Sequence, residues 1–170
     1  SEILKEAFDK GYTEPHPRDD LNGVDVARKM VVLARAAGFR VGMEDAKITP
    51  FIPREYLSEN DVFSFIGAAK ELDGWFKEKM SSAGKQGLTP RYVAQMTIEG
   101  NSPHIDISLK YVPKQSPLGS LNGTMNKIVI ISEAYPKGYS VEAQGAGLEV
   151  TARNIRRDLL YLLKERENLV

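Results

Sequence analysis

Tyr92-Val93-Ala94-Gln95-Met96-Thr97-Ile98, a turn at Gly100-Asn101-Ser102, and then Ile105-Asp106-Ile107-Ser108-Leu109-Lys110-Tyr111-Val112 form the stretch whose reading decides the fold. Apolar and polar residues alternate along both halves. That period of two predicts an antiparallel hairpin with Ile105, Ile107, Leu109 and Tyr111 on one face. Downstream, Ile128-Val129-Ile130-Ile131-Ser132 and Tyr139-Ser140-Val141-Glu142-Ala143 predict a second hairpin around Pro136-Lys137-Gly138. Upstream the period is helical. Ser1 to Lys10 carries Ile3, Leu4, Ala7 and Phe8 on one side and stops at Gly11. A second helix is expected from Val24 to Ala37, closed by a left-handed Gly38. A third is expected from Asp61 to Met80, capped by Asn60 or Ser58, with a stripe of Val62, Phe63, Ile66, Ala69, Leu72, Trp75, Phe76 and Met80. Trp75 and Phe76 read as core anchors. Phe39-Arg40-Val41 is compatible with a short strand, and Thr49-Pro50-Phe51-Ile52-Pro53 with a constrained connector. A last helix is expected from Val150 to about Arg166. Helices come first and strands later, which predicts an α+β fold with a largely antiparallel sheet covered by helices.

Composition narrows the function. The chain has 170 residues, 42% hydrophobic and 27% charged, an ordinary globular balance with room for one core. Lys plus Arg and Asp plus Glu both number 23, so net charge favours neither nucleic acid nor an anionic membrane surface. With no cysteine there is no disulfide, thiolate nucleophile or Cys-based zinc site, which suits a cytoplasmic protein. His16 and His104 lie too far apart for metal-ligand spacing, and no metal is expected. The first ten residues are charged throughout and do not resemble a signal peptide. No apolar run approaches the roughly 18 residues of a membrane span.

Chemistry concentrates between Gly11 and Lys29. Pro15 and Pro17 push Glu14 and His16 out of the α region, so Glu14 stands on a stiff connector. Asp20 and Asn22 are both good N-caps for the helix that follows, and Asn22 with Asp25 makes a weak capping box. Asp25 and Lys29, four apart, share a helical face in the favourable order. Val24, Val26, Met30, Val31, Val32 and Leu33 leave that helix apolar on most sides, which predicts burial. A buried ion pair needs converging polar partners, and Glu14 and Asp20 are the local candidates. The alternative is an ordinary solvated pair, with Asp20 serving only as a cap and His16 only as a turn residue.

Thr13-Glu14-Pro15-x-Pro17-Arg18-Asp19-Asp20-Leu21-Asn22-Gly23-x-Asp25-Val26-Ala27-Arg28-Lys29 resembles the signature of homoserine dehydrogenases. Pro117-Leu118-Gly119-Ser120-Leu121-Asn122-Gly123 and Gln144-Gly145-Ala146-Gly147-Leu148-Glu149-Val150-Thr151-Ala152 resemble two further segments of that family, in the same order. His16 departs from it, standing where the family usually has Asp, and so do Arg153, Asn154, Arg156 and Arg157, where small residues are usual. The resemblance implies NAD- or NADP-linked interconversion of L-homoserine and L-aspartate 4-semialdehyde. It implies that Glu14 and Asp25 bind the amino-acid end of the substrate with Asp20 in support, that Lys29 is the general acid/base, and that Gly147 touches the cofactor. It further implies a homodimer formed through the sheet.

In that family a Rossmann domain precedes this region, and no strand followed by G-x-G-x-x-G occurs here. The expected organisation is a substrate-binding, catalytic and dimerisation domain over residues 1–143, with a glycine turn and helix over 144–170 that pack with the nucleotide domain. An aspartate kinase precedes both in some relatives. A reading from another class is an oligomerisation or amino-acid-binding regulatory module with residual carboxylates. In either case the apolar face of the last helix, Val150, Ile155, Leu159, Leu162 and Leu163, calls for a partner.

Overall fold

Alternation along the decisive stretch produces the hairpin it predicts, longer at both ends. The computed structural model describes residues 1–145 and 147–167. In it β2 (Leu88–Glu99) pairs antiparallel with β3 (Ser102–Pro113), and the register Glu99↔Ser102 leaves Gly100 and Asn101 as the loop. Pro90 is tolerated because β2 lies at the edge of the sheet, where a missing N–H breaks no ladder bond. A short strand, β1 (Ala46–Ile48), joins the other side of β3 in parallel, giving the order β1-β3-β2.

The strand expected at Phe39-Arg40-Val41 does not form, and the end of the preceding helix explains why. α3 (Val24–Ala36) closes with Gly38 at φ 94°, as its glycine predicts. Gly38 N–H donates to Arg35 O and Phe39 N–H donates to Ala34 O, both at 3.0 Å, so the Phe39 amide is consumed by a Schellman cap. Arg35 Nε then donates to Val41 O at 2.7 Å, occupying the next carbonyl. The chain becomes available for pairing only at Ala46.

α3 covers one face of this sheet. Ala27, Val31 and Ala34 pack with Val41, Ile105 and Ile107, and Tyr92, Ala94 and Met96 close the cluster. Ile105 and Ile107 are thus core residues as alternation predicts, whereas Tyr111 is exposed. The expectation that α3 is buried on most sides is corrected. Only the stripe 27-31-34 is buried, while Val32 and Leu33 are 63% and 40% exposed, because the described unit packs against one side of the helix only.

A second cluster forms beside the first. Ile52, Phe65 and Leu72 are its buried centre, with Leu4 from α1 (Glu2–Asp9), Leu21 from α2 (Arg18–Leu21), Phe51, Tyr56, Leu57 and Phe76 against it. The helix expected from Asp61 to Met80 is interrupted. It runs as α4 (Val62–Ala68), a 3₁₀ turn at Ala69–Glu71, and α5 (Leu72–Lys85). Neither Asn60 nor Ser58 caps it; Asp61 Oδ2 accepts Ser64 N–H at 2.8 Å, and the amide holds that exposed carboxyl below its ordinary range. The inward stripe is Phe65, Ala69 and Leu72, and Phe63, expected inside, is 77% exposed. Phe76 joins the core, while Trp75, half-buried, meets it edge to face with Lys79 Nζ 4.5 Å above the indole.

Contacts divide the chain after Gly119. The second unit contains β4 (Met125–Ile130) paired antiparallel with β5 (Tyr139–Gln144), and α6 (Leu148–Glu167). Lys127 and Glu142 face each other in register and form an ion pair at 2.7 Å. By packing, then, the second hairpin groups with α6. Along α6, Ile155, Leu159, Leu162 and Leu163 are all exposed. No described helix is long and apolar enough to cross a membrane.

Tyr92 gives the core a pH limit. Its hydroxyl donates to Thr49 O at 2.8 Å, and burial, with the Asp106 charge adding, pushes its pKa up to about 12 from 10. A folded pKa above the unfolded one contributes stability that is complete below pH 10 and is lost as pH rises toward 12. Denaturant titrations from about pH 9 to 12 should therefore show stability falling more steeply in this chain than in Tyr92→Phe.

Candidate active site

The corner between α2 and α3 is set by one glycine. Asn22 Oδ1 accepts Val24 N–H at 2.8 Å, and Gly23 at φ 84° turns the chain into α3. A Cβ on Gly23 would meet the Tyr92 hydroxyl and the Ile48 side chain, so both conformation and space demand glycine there. The capping box expected between Asn22 and Asp25 does not form, because Asn22 bonds Val24 and Asp25 turns to Lys29.

Asp20 does not cap α3 either. It sits inside α2, and its Oδ2 accepts the backbone N–H of Glu14 at 2.9 Å, closing the Pro-rich connector back on itself. Burial raises the Asp20 carboxyl above its ordinary range. The negative charges of Glu14 and Asp25 raise it further, while the Glu14 amide opposes the shift. Glu14, Asp20 and Asp25 are thus brought into one electrostatic neighbourhood by three different segments. Lys29 Nζ lies 2.7 Å from Asp25 Oδ2, with its side chain 61% exposed and that of Asp25 34% exposed. The expected buried ion pair is therefore a pair at an open rim, a consequence of the one-sided packing of α3.

The support of this cluster comes from residues whose neighbours are distant in sequence. His16 Nδ1 accepts Arg18 N–H at 3.2 Å, so the ring proton resides on Nε2, which is buried without a hydrogen bond. The ring packs edge-on to Phe65 at 5.4 Å, so His16 is a wedge under the connector as well as a turn residue. Arg18 Nη1 reaches Glu59 O at 2.8 Å, Asn60 Oδ1 at 3.0 Å and, more weakly, Leu57 O at 3.5 Å. Sequence spacing carries no sign of these partners, because they lie some 40 positions away; only the place of Arg18 inside the motif marks it.

Chemically, three carboxylates that feel one another's charge, only one of them paired with a lysine, leave an excess of negative charge near a solvent-accessible rim. That arrangement suits a small cation bearing several N–H donors, such as the ammonium of an amino acid, with Lys29 placed beside it for proton transfer. No group of three or more Asp, Glu or His among the described residues is disposed to hold a metal ion.

Gly147 lies in the second unit at φ 115°, before α6, and its carbonyl accepts Thr151 N–H at 3.1 Å and Thr151 Oγ1–H at 3.2 Å. Among the described residues, apart from its chain neighbours, no atom stands within 4 Å of where its Cβ would be. An open backbone at a helix start fits close approach of a nucleotide. Ala146, which precedes Gly147 in the sequence, lies outside the described residues.

Comparison with known proteins converges on one family. The family model for homoserine dehydrogenase matches residues 1–160. The chain is 37% identical over 164 residues to a bifunctional aspartokinase/homoserine dehydrogenase of Buchnera aphidicola, covering 96% of this chain and 20% of that protein. It is 34% identical over 166 residues to the homoserine dehydrogenase of Paracoccidioides brasiliensis, covering 96% of this chain and 44% of that one. Among solved structures it resembles a Candida auris protein of unknown function, with a TM-score of 0.82 and 32% identity over 96% of this chain and 45% of the other. The fold is also that of Staphylococcus aureus homoserine dehydrogenase, with a TM-score of 0.72, 22% identity and coverage of 98% and 37%. The chain thus spans less than half the length of each of these relatives.

Crowded carboxylates cost stability, which gives the cluster a direct check. A raised folded pKa means that Asp20 is disfavoured when ionised, so its contribution is best below the unfolded pKa of 3.8 and declines as pH rises through the folded value. Asp20→Asn, which keeps an acceptor for Glu14 N–H, should melt at a higher temperature than the unaltered chain at pH 7. Scanning calorimetry should show that advantage shrinking as pH falls through the raised folded value toward 3.8 and Asp20 takes up its proton.

Proposed function

Because this chain belongs to the homoserine dehydrogenase family, we propose that it is the substrate-binding and catalytic segment of such an enzyme, acting on L-homoserine and L-aspartate 4-semialdehyde. The observation that carries the reading is the electrostatic convergence of Glu14 and Asp25 on Asp20, with Lys29 paired to Asp25. Glu14 and Asp25 receive the α-ammonium of the substrate. Asp20 holds the Glu14 backbone and adds negative charge behind it.

Lys29 handles the reacting oxygen. In reduction of the semialdehyde, the Lys29 ammonium donates a proton to the carbonyl oxygen as that carbon gains a hydride. In oxidation of homoserine, the neutral Lys29 amine takes the hydroxyl proton as hydride leaves the same carbon. NAD or NADP, when bound, supplies the hydride donor or acceptor, with Gly147 as a contact on this chain. A Rossmann domain is the partner that would position that cofactor, and transfer requires reacting atoms within about 3.5 Å. The same reading includes homodimeric assembly, a cytoplasmic location and a role in threonine and methionine biosynthesis. It also includes a division of labour between residues 1–143 and the glycine turn with its helix over 144–170. The reading as an oligomerisation or regulatory module draws on the exposed apolar residues of α6, which a nucleotide domain would equally cover.

Fusion to, or mixing with, a family nucleotide-binding domain tests the proposal. Homoserine oxidation followed by dinucleotide absorbance should be negligible for the chain alone and appear with the partner domain. Lys29→Ala in the active form should lower kcat by roughly 10² to 10⁴. Persistent inactivity of a folded fusion would favour the regulatory reading.

A further inference from the structure

We infer that Arg18 is a positioning residue for the carboxylate cluster, holding α2 so that Asp20 fixes Glu14 at the substrate rim. The inference rests on the amino-acid-binding reading for its ligand, and on geometry alone for its mechanics. α2 has four residues, too few to persist by its own hydrogen bonds, so its place is set by what it touches. On one side Leu21 enters the second core cluster and Leu21 O accepts Phe51 N–H at 2.9 Å. On the other, the Arg18 guanidinium, 24% exposed, bonds Glu59 O and the Asn60 side chain, with Leu57 O at the limit of reach. A planar fork with several donors can satisfy diverging acceptors at once, and an ammonium at the same place cannot reproduce it. The segment thus gripped leads directly to Asp61, the cap of α4.

The consequence is mechanical. Glu14 is exposed and follows Thr13, whose Oγ1 donates locally to Glu14 O at 2.9 Å. Its longer-range tether is the bond from its own N–H to Asp20 Oδ2. Asp20 lies between Arg18 and Leu21 in a single helical turn, so release of Arg18 leaves that turn anchored at its Leu21 end only and loosens Asp20 and Glu14 together. Asp25, in contrast, belongs to α3 and is held by the sheet. Loss of Arg18 therefore loosens one half of the ammonium pocket relative to the other and leaves Lys29 and Asp25 in place.

Arg18→Ala and Arg18→Lys in the full chain test this, read by amide exchange at Glu14, by NMR titration of the Asp20 carboxyl and by calorimetric titration with L-homoserine. Arg18→Lys keeps the charge and serves where the alanine variant fails to fold. Arg91→Ala is the structural control, since Arg91 bonds Leu118 O at 3.1 Å and Gly119 O at 2.8 Å, carbonyls of a different loop from the one Arg18 grips. Both Arg18 variants should exchange the Glu14 amide about tenfold faster or more and bring the Asp20 titration toward its ordinary range. Both should weaken homoserine binding roughly tenfold to hundredfold, the scale of a small misplacement. Millimolar guanidinium should partly restore Arg18→Ala, and Arg91→Ala should leave all three readings unchanged. Unaltered Glu14 exchange and Asp20 titration in the Arg18 variants, or equal changes in Arg91→Ala, would overturn the inference. If the unaltered chain fails to bind homoserine, the ligand reading fails, while the first two readings still decide the role of Arg18.

Discussion

The left-handed turn at Gly23 is the constraint on which the site depends. It lies where α2, α3 and the sheet meet, under a tyrosine hydroxyl that is itself committed to Thr49 O. No side chain fits there, and an L-residue in that conformation costs roughly 1 to 2 kcal/mol before any clash is counted. Because the turn is fixed, the carboxylate of α2 and that of α3 are held in the same electrostatic neighbourhood. The sheet therefore positions the chemistry through one backbone corner, even though no sheet residue belongs to the carboxylate cluster.

What the corner creates is locally unfavourable. Glu14, Asp20 and Asp25 repel one another, Asp20 is partly withdrawn from water, and one lysine and one backbone amide offset only part of the charge. Local disagreement with an otherwise consistent sequence is characteristic of functional sites. A cation entering this rim would relieve the repulsion, so binding of a cation there and relief of strain would be one event. Openness of the rim follows from the same architecture: α3 gives only its 27-31-34 stripe to the sheet and leaves Lys29 and the rim-side carboxylates accessible.

Much of this was legible from residues alone. Alternation placed the decisive hairpin with Ile105 and Ile107 inward, and Gly38 marked the end of α3. Misreadings share a physical source, since periodicity counts apolar residues but not their neighbours. Val32 and Phe63 satisfy a helical stripe and still face solvent, because one-sided packing and the 3₁₀ break at Ala69 decide which side is inward. Phe39-Arg40-Val41 has strand composition but its amide was already spent in a helix cap. Of the site, motif spacing supplied Glu14, Asp20, Asp25 and Lys29, and long-range pairing supplied what spacing cannot: the tether of Glu14 to Asp20, the wedge of His16 on Phe65 and the grip of Arg18 on residues 57–60. The comparisons with known proteins fixed the family, and the exposed apolar residues of α6 in the second unit include Ile155, Leu159, Leu162 and Leu163, which periodicity had marked.

The central claim is that the carboxylate rim recognises the ammonium of a hydroxy amino acid. Calorimetric titration of this chain with L-homoserine and, in parallel, with 4-hydroxybutyrate, which has the same hydroxyl but no amine, tests it directly. Saturable binding of homoserine with none of 4-hydroxybutyrate is the predicted result. Equal binding of the two, or binding of neither, would contradict it.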